Sequence, residues 1–320
     1  MRAISPQRDS AAAFAPGSIG NVGPGLDVLG MAVTGLGDRV TAERTGTPGI
    51  EITEAGHPEL PREAARHTSG IAAAAVLRRA GAGDVGVRLR VVKGLPLSGG
   101  QGGSAASAVA GAVAVNRLLG DPLNDLALLE CALEAEETVS GRHADNIAPA
   151  LLGGIVLVRS THPLDVVPLP VPAALRVVLA HPDQRLETSQ AREVLPRFIG
   201  REAVIAQMAN VAAIVAALAS GDLALLSRAL VDDIAEPARA VLLPGFYSAK
   251  AAALGAGALG GSISGAGPTS FWLTDSDARS EAVAAAVLAS YRARDIACTV
   301  RVGRVAPLGA LRLPPDAASA

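Results

Sequence analysis

A glycine- and serine-rich segment at residues 94–110, GLPLSGGQGGSAASAVA, carries the residue types that suit anion binding. Its glycines can adopt positive φ angles and let a ligand approach the backbone closely; they are Gly99, Gly100, Gly102 and Gly103. Apolar residues alternate with arginines from Val87 to Val91, which predicts a strand before the segment, and small apolar residues from Ala105 to Leu119 predict a helix after it. The unpaired amides where this helix begins, near Ser104, would lie at the positive end of its dipole. We therefore expect a polyphosphate cradle, although a plain glycine turn before a tightly packed alanine helix fits the same residues.

Two common phosphate-binding loops do not match this segment. A Walker A loop requires a lysine followed by serine or threonine, whereas the nearest lysine, Lys93, precedes the glycines. A Rossmann loop requires the spacing GxGxxG, which residues 100–103 do not have. The polar side chains that remain are the hydroxyls of Ser98, Ser104 and Ser107. This lysine-free loop indicates that a metal ion and the helix dipole neutralise the bound phosphates.

A turn near the amino terminus offers two more candidate site residues. Asn21 and Asp27 flank the sequence Gly23-Pro24-Gly25, whose rigid turn would fix their separation. Both residue types also form turns by bonding to their own backbone, so a purely structural role is the alternative.

Polar residues also gather between residues 122 and 146. A helix predicted over Pro122–Thr138 ends in a cluster of acids, Glu130, Glu134, Glu136 and Glu137, of which most would form a solvated face. The following turn, HADN, contains His143, Asp145 and Asn146. A third metal ligand at suitable spacing is missing there. Capping of the next helix by Asp145 or Asn146 is the structural alternative.

Composition limits the kind of protein that can position these residues. The chain has 320 residues, half of them hydrophobic but only seven aromatic, so alanine, valine and leucine must fill one large or two modest cores. A formal net charge of −2 and the lack of a long basic run argue against a nucleic-acid partner. The amino-terminal residues have no apolar signal region, and the apolar stretches 105–119 and 203–219 are short or interrupted. With two widely separated cysteines, Cys131 and Cys298, we expect reduced thiols in a soluble cytoplasmic protein without a membrane partner.

The order of predicted elements indicates two α+β units. Four prolines between Pro163 and Pro172 predict a connector, which places a domain boundary near residue 168. After it, we expect strands over 176–180 and 296–302, a hairpin in GGSISGAGPTSFWL, and helices over 245–254, over 276–294 and beginning at residues 191, 202 and 223. This order fits helices on one face of a mostly antiparallel sheet, followed by a frayed tail from residue 311 to 320.

Six segments taken together resemble the GHMP small-molecule kinases, and more closely the homoserine kinases among them. They are APGSIGNVGPGLDVLGMAV, PLSGGQGGSAAS, HADNIAPALLGG, TSQAREVLP, EPARAVLLPGF and GSISGAGPT, and the resemblance spans roughly residues 12–303. It implies an ATP-binding, ribosomal-S5-type amino-terminal domain over residues 1–168 and a ferredoxin-like carboxy-terminal domain over residues 169–310. The implied reaction is ATP-dependent phosphorylation of the L-homoserine hydroxyl, giving O-phospho-L-homoserine for threonine biosynthesis. A homodimer is usual for such proteins.

The resemblance also assigns residues to the amino-acid substrate. It implies that Asp27 pairs with the ammonium group and that Asn21 holds the polar end of the substrate, with His143 nearby. Arg192 and Arg239 match the arginines around the substrate, and a planar guanidinium can bind a carboxylate through two hydrogen bonds. Gly265, in the segment GSISGAGPT, completes the implied substrate site.

On the nucleotide side, the resemblance implies phosphate contacts from a continuous stretch: Pro96, Ser98, Gly99, Gly100, Gln101, Gly102, Gly103, Ser104, Ala105 and Ala106. Ser104 and Glu136 would hold Mg²⁺, with Glu134 and Glu137 as neighbouring alternatives to Glu136. Asn146 stands where some relatives have an aspartate base, so we expect the alcohol proton to pass to the γ-phosphate or to water. Catalysis would then rest on Asn146, Glu136 and Ser104, through alignment and charge neutralisation.

Three positions depart from the pattern. Gly103 replaces the first serine of the usual GLGSSA loop, Leu26 replaces a common phenylalanine, and His67 stands where an adenine-contacting asparagine is often found. Two other functions stay open from the residues. One is a kinase of the same superfamily that acts on a mevalonate or methylerythritol derivative, which would not need Asp27 and both arginines. The other is a non-catalytic sensor, which would not need to keep Ser104 and a nearby glutamate.

Overall fold

The computed structural model describes residues 7–313, which form two sheets covered by helices. The larger sheet contains seven strands: β1 (Ser10–Gly20), β2 (Leu29–Thr45), β3 (Gly49–Glu54), β4 (Gly86–Val92), β5 (Ile155–Thr161), β6 (Leu164–Leu169) and β11 (Leu311–Leu313). The order is β11-β1-β2-β4-β3, and β5 pairs with both β2 and β6. The long strand β2 pairs with β4 through residues 39–45 and with β5 through residues 29–31, so it joins the two parts of the sheet.

Small residues allow the helices of this first unit to pack closely. A short 3₁₀ turn, Ala64–Arg66, precedes α1 (Thr68–Arg79), and α2 (Gly103–Leu118), α3 (Asp125–Val139) and α4 (Ile147–Leu152) follow. A Cβ atom on Gly111 of α2 would lie 2.8 Å from the carbonyl oxygen of Ser69 in α1, so the glycine permits this helix contact. The alanines of α1 and α2 share one buried cluster with the apolar residues of β1, β2 and β4. Helix α2, which begins at the predicted phosphate loop, is therefore held firmly in the core.

The smaller sheet has the order β10-β7-β9-β8, and its neighbouring strands are antiparallel. Its strands are β7 (Arg176–Pro182), β8 (Gly260–Ile263), β9 (Ser270–Thr274) and β10 (Cys298–Gly303). The helices of this part are α5 (Thr188–Glu193), α6 (Arg201–Ser220), α7 (Leu223–Ala229), α8 (Ala235–Ala240), α9 (Phe246–Gly255) and α10 (Asp277–Arg292). Helices separate β7 from β8 and β9 from β10, which gives the ferredoxin-like strand arrangement. The predicted two-domain α+β architecture is confirmed.

The expectation of helices on one face of the smaller sheet is incomplete. Val178 and Ala180 of β7 pack on one side in a cluster that includes residues of α9 and α10. Val177 and Leu179 point to the other side, because side chains alternate along a strand, and belong to a cluster that includes Ile19 and other residues of β1 and β2 together with α6 and α7. The two sheets are thus joined through a shared apolar layer.

Two segments expected to be irregular form strands. Residues 164–169 of the proline-rich connector pair with β5 on one side only, and prolines are tolerated at such an edge because they need not donate to a neighbouring strand. At the carboxy terminus, residues 311–313 pair with β1, where a frayed tail was expected. The rest of that predicted tail, residues 314–320, lies outside the described residues.

Helix α6 confirms the helix predicted to begin at residue 202, and Gln207 and Asn210 interrupt its apolar stretch without breaking the helix. The Nε2 of Gln207 donates to the carbonyl oxygen of Pro24 at 2.8 Å and to Asp232 Oδ1 at 2.9 Å, which satisfies the buried amide. Among residues 7–313, α6 is the one helix whose length and composition would suffice to cross a membrane, and 22% of that stretch is buried against the rest of the molecule. A single helix of this kind is weak grounds for a membrane span.

Candidate active site

A cleft of about 440 Å³ lies between the two units and brings together most of the predicted site residues. One wall is the glycine loop of residues 96–104, and the opposite end contains Asp27, Arg192 and Arg239. Asn21, Glu136, His143, Asn146 and Gly265 also line it. The predicted phosphate-binding and substrate-binding groups therefore face a common space.

The glycine loop adopts a conformation that its glycines make possible. Gly100 and Gly102 have φ angles of +68° and +67°, and Gly102 is the N-cap of α2. A Cβ atom on Gly102 would lie 2.1 Å from Ser18 Oγ. Because Gly102 has no side chain, the first amides of α2 stay open to the cleft, as anion binding requires.

The segment GSISGAGPT of the other unit holds this loop in place. The hydroxyl of Ser264 donates to the Gly100 carbonyl oxygen at 2.6 Å, and that of Thr269 donates to the Gly99 carbonyl oxygen at 2.5 Å. Both hydroxyls flank the turn that ends β8 and precedes β9. The smaller sheet therefore helps to shape a phosphate loop that belongs to the larger one.

Three loop residues predicted to contact nucleotide do not line the cleft. Ala105 and Ala106, in the first turn of α2, are fully buried in the core. Gln101 is also buried, and its amide is already bonded to the side chains of Thr269 at 3.3 Å and Arg301 at 2.8 Å. The side chains of these three residues are excluded from the cleft. Any contact of these residues with nucleotide would have to come from their backbone amides.

The loop itself contains no lysine, but the structure brings Lys93 to it from the end of the preceding strand. Lys93 follows β4 directly, and its Nζ reaches the loop, where it donates to the Gly103 carbonyl oxygen at 2.9 Å and to Ser107 Oγ at 3.0 Å. It also forms an ion pair with the buried carboxylate of Asp38. That carboxylate accepts hydrogen bonds from Ser107 Oγ at 2.6 Å and from the amide of Gly94 at 3.1 Å. Ser107 thus belongs to the support of the loop, and the charge of Lys93 lies beside it.

One hydroxyl and one carboxylate meet at the beginning of α2. Ser104 Oγ donates to Glu136 Oε2 at 2.9 Å, and Ser140 Oγ donates to the other carboxylate oxygen. Burial raises the pKa of Glu136, against the two hydrogen bonds, which lower it. The neighbouring acids point elsewhere, since Glu134 pairs with two arginines of α1 and Glu137 pairs with Arg142. Glu136 is therefore the acid of this helix that faces the cleft.

Ser104 and Glu136 have the donor chemistry that Mg²⁺ prefers, since both offer oxygen atoms. Within residues 7–313, no group of three or more His, Cys, Asp or Glu side chains is arranged to hold a metal ion. These two residues therefore fit a cation that takes its remaining ligands from phosphate oxygens and water.

At the opposite end, hydrogen bonds fix Asn21 and Asp27 in an unusual backbone conformation. Their φ angles are +57° and +58°, a region where Asn and Asp are tolerated better than most other residues. Asn21 Nδ2 donates to the Gly265 carbonyl oxygen at 3.1 Å, and Asn21 Oδ1 accepts from the amide of Asp27 at 2.8 Å. Asn21 therefore orients the residue expected to bind the ammonium group.

The charged groups at this end are paired with one another. Asp27 accepts from Arg192 at 3.0 and 3.4 Å and lies 3.3 Å from Nδ1 of His143. Burial lowers the pKa of His143, which favours the neutral ring. Arg239 is buried and donates to the Gly265 carbonyl oxygen at 2.8 Å and to that of Ala191 at 3.1 Å. Arg192 pairs with Asp27, but Arg239 bonds only to carbonyl oxygens, so this end of the cleft can bind an additional anion.

Asp145 lines the cleft, although from the sequence we considered only a structural or metal-binding role for it. Its carboxylate is buried and accepts from the amide of Asn21 at 3.0 Å. Burial raises the pKa of Asp145 to about 7, and the negative charge of Asp27 adds to this effect. Asn146 begins α4, but its side chain makes no capping bond and accepts from Ser18 Oγ at 3.0 Å. Asn146 therefore holds the N-cap position of α4 without a capping bond from its side chain, and the Asp145 carboxylate bonds to Asn21 instead.

His67 acts as a helix cap. Its Nδ1 accepts from the amide of Ser69 at 3.2 Å, and its Nε2 lies 3.2 Å from the carbonyl oxygen of Ala55, to which it donates in this tautomer. Burial lowers the pKa of His67, which keeps the ring neutral. Both ring nitrogens are occupied by α1 and its surroundings.

Family models match both parts of the chain. The GHMP kinases N terminal domain matches residues 66–154, and the GHMP kinases C terminal domain matches residues 214–293. The chain is 44% identical over 275 residues to a homoserine kinase of Chlorobium phaeobacteroides (strain BS1), which covers 82% of the chain and 86% of the relative. It is 43% identical over 293 residues to a homoserine kinase of Xylella fastidiosa (strain 9a5c), covering 90% and 89%.

Solved structures show the same likeness in three dimensions. The homoserine kinase from Cytophaga hutchinsonii superposes with a TM-score of 0.93 at 42% identity, covering 97% of this chain and 99% of that one. A mevalonate kinase from L. major shares the fold with a TM-score of 0.70, but only 17% of its residues are identical. The likeness in sequence is thus much greater to the homoserine kinases than to this mevalonate kinase.

Proposed function

The chain belongs to the GHMP kinases and, within them, to the homoserine kinases, and from this membership we propose how its cleft phosphorylates the hydroxyl of L-homoserine with ATP. The observation that carries the proposal is the arrangement of a phosphate loop and an acid–arginine cluster at opposite ends of one cleft. The product is O-phospho-L-homoserine, a precursor for threonine. A sensor would not need this combination, and a mevalonate-type substrate has no ammonium group for Asp27.

The substrate's two charged groups account for the acid–arginine cluster. We propose that the ammonium group binds Asp27, in exchange for part of that residue's pairing with Arg192 and His143. The carboxylate binds Arg192 and Arg239, whose guanidinium groups suit a planar anion. Asn21 and the carbonyl group of Gly265 hold Asp27 and Arg239 in place through the hydrogen bonds described above. This leaves the substrate hydroxyl to point toward the phosphate loop.

The nucleotide phosphates are proposed to bind the glycine loop, from Pro96 to Ser104, and the first amides of α2. The Lys93 ammonium group, paired with Asp38, lies beside this end of the loop. Ser104 and Glu136 would hold Mg²⁺, and that ion would supply charge neutralisation to the phosphate groups. The side-chain amide of Asn146 would orient the substrate hydroxyl. The proton of that hydroxyl would pass to the γ-phosphate or to water. The work of the protein is then mainly alignment and electrostatic stabilisation.

We further propose a homodimer that forms through the exposed side of α6. Ile205 and Met208 on this side are 59% and 67% exposed, and Phe198 just before the helix is 94% exposed, which is unusual for large apolar residues on a free surface.

We also propose a domain boundary near residue 168 and a cytoplasmic location for the protein. Cys131 and Cys298 are both free, which suits a reducing compartment.

A coupled ADP-release assay with purified protein tests the function. We expect turnover with L-homoserine, and much less with L-serine, L-threonine or mevalonate, since the cleft matches a zwitterionic alcohol. Activity should rise with Mg²⁺ at fixed ATP and disappear with excess chelator. Turnover only with mevalonate would keep the fold and reject the substrate. ATP binding without turnover on any of the four compounds would favour a sensor.

A further inference from the structure

A second cavity, of about 600 Å³, lies next to the phosphate loop and exposes side chains that the proposed reaction does not use. One wall is a face of the smaller sheet, where the register places Arg301 opposite Leu179 and Thr299 opposite His181. Because paired residues on antiparallel strands point to the same side, all four side chains share one face. Gln101 of the phosphate loop lines the same cavity.

Arg301 is a cation without a matching anion. Its Nη1 donates to the carbonyl oxygen of Thr34 at 3.0 Å, and its Nη2 donates to Gln101 Oε1 at 2.8 Å, so both partners are neutral. Across residues 7–313, no carboxylate forms an ion pair with it. Burial lowers the pKa of Arg301, and no nearby acid opposes the effect. Partial burial of an unpaired charge costs free energy, and a counter-ion bound to the guanidinium would offset that cost.

The other groups of the cavity determine what counter-ion would fit. Leu36, Leu95 and Leu179 supply apolar surface, which suits a short aliphatic chain. Burial lowers the pKa of His181, whose Nδ1 is bonded to Thr269 Oγ1 at 2.9 Å, so this ring adds no charge at neutral pH. Asp183 and Glu59 also line the cavity and disfavour a multiply charged anion. Lys93 and Arg185 line it too, but they already pair with Asp38 and Glu59, respectively. The surroundings of Arg301 therefore suit a monoanion with an apolar part.

We propose that this cavity binds a small aliphatic carboxylate through Arg301, which does not line the substrate cleft, although the two cavities adjoin and share residues such as Pro96 and Arg185. The guanidinium keeps unused N–H donors and can form charge-assisted bonds to a carboxylate. The apolar side chains named above would contact the ligand's hydrocarbon part.

The proposed site is connected to the phosphate loop by hydrogen bonds. Arg301 donates to Gln101, Gln101 Nε2 donates to Thr269 Oγ1 at 3.3 Å, and Thr269 donates to the Gly99 carbonyl oxygen. A ligand on Arg301 therefore changes the surroundings of a residue within the loop. If the carboxylate alters ATP binding, then ATP alters carboxylate binding by the same factor.

Titration of the ¹⁵N-labelled full chain with sodium butyrate, followed by amide NMR shifts, tests the site. Shifts are expected at Gln101, Thr299 and Arg301, and n-butanol, which has the same chain length without charge, should not reproduce them. Arg301→Gln should weaken butyrate binding about tenfold or more, because a charge-assisted bond is lost. Arg292→Gln, at an exposed arginine of α10, is the matched control and should leave binding unchanged. The Kd for ATP, measured by calorimetry with and without saturating butyrate, should differ.

Shifts confined to residues around Arg192 and Arg239 would overturn the proposal, because the carboxylate would then occupy only the substrate cleft. Equal shifts with n-butanol would also overturn it, and this comparison needs no variant. Unchanged affinity in a folded Arg301→Gln protein would remove Arg301 from the site. An ATP affinity that is independent of butyrate would contradict the link through Gln101.

Discussion

Single residues in the substrate end of the cleft carry charges that the fold itself only partly balances. Arg239 illustrates this, because it is buried and bonded to two carbonyl oxygens, with no carboxylate within ion-pair distance among residues 7–313. Its pKa is lowered, first by burial and then by the charge of Arg192. The negative charge of a bound substrate carboxylate would offset both effects on the pKa of Arg239. The residue is thus prepared for an anion that the protein does not provide.

Arg239→Leu should therefore raise the KM for L-homoserine far more than the KM for ATP. Loss of a charge-assisted bond of about 1.5–3 kcal/mol corresponds to a factor of roughly ten to a hundred. Steady-state kinetics with each substrate varied in turn measure the two effects. Arg228→Leu, an exposed arginine on α7, is the matched control. An equal rise in both KM values would remove Arg239 from the substrate site.

Asp145 makes the stability of the protein depend on pH. Its pKa is about 7 in the folded chain, raised from 3.8, so the folded state holds this proton more tightly than the unfolded state does. Between these two pKa values, the contribution of Asp145 to the free energy of unfolding falls as pH rises. Asp145→Asn removes this titration. The Tm of the variant relative to the unsubstituted protein should increase from pH 5 to pH 8, and parallel Tm curves would contradict the pKa assigned here.

Individual side-chain contacts were the part of the site least accessible from the sequence. The resemblance assigned Ser104 and Glu136 to one site, with Glu134 and Glu137 as alternatives, and the structure places Ser104 Oγ 2.9 Å from Glu136 Oε2. The roles of Lys93 and Asp38 could not be predicted, since their ion pair joins residues that are far apart in the chain and depends on the pairing of β2 with β4. Local spacing cannot reveal such a contact.

At the scale of elements, the start of α2 determines whether phosphate can bind. Gly102→Ala would place a Cβ atom in a left-handed residue and against Ser18 Oγ. The backbone strain alone costs about 1–2 kcal/mol, and relief of it would shift the first amides of the helix. We expect a KM for ATP at least tenfold higher and a lower Tm.

Gly255→Ala is a suitable control for that substitution. Gly255 is the last residue of α9, and a Cβ atom there would meet no atom within 4 Å. This change should leave the kinetics unaltered and stabilise the protein slightly, because alanine has less freedom in the unfolded chain. Normal ATP kinetics in Gly102→Ala would show that the loop tolerates a side chain and would contradict its proposed close approach to phosphate.

Element types were well predicted where the hydrophobic pattern was strong. Helix α2 begins two residues before the predicted stretch, and β4 agrees with its prediction within one residue at each end. The failures occurred where composition and tertiary pairing disagree. The prolines of β6 resemble a connector, but an edge position accepts them, and the backbone of β5 supplies a pairing partner that the sequence cannot show.

At the scale of the whole molecule, the cleft exists because two separate sheets share an apolar layer and because hydroxyls of one unit hold the phosphate loop of the other. Helix α6 extends from this junction. Gln207 on its inner side binds the turn before Asp27, while its outer side is apolar and exposed. The same helix therefore supports the substrate turn and carries the exposed apolar side through which we propose that a second copy of the chain binds.

Met208→Glu should disrupt the proposed homodimer. Burial of a carboxylate in an apolar interface is costly, so the charged variant should dissociate at protein concentrations where the unsubstituted protein is dimeric. Sedimentation equilibrium measures the two association constants. Leu126→Glu, at a residue of α3 that is 53% exposed, is the matched control and should leave the association constant unchanged. The inner side of α6 is not altered by the Met208 substitution, so the Tm of the monomer should change little. A monomeric unsubstituted protein, or equal effects of both substitutions, would show that the exposed side of α6 does not bind a second copy of the chain.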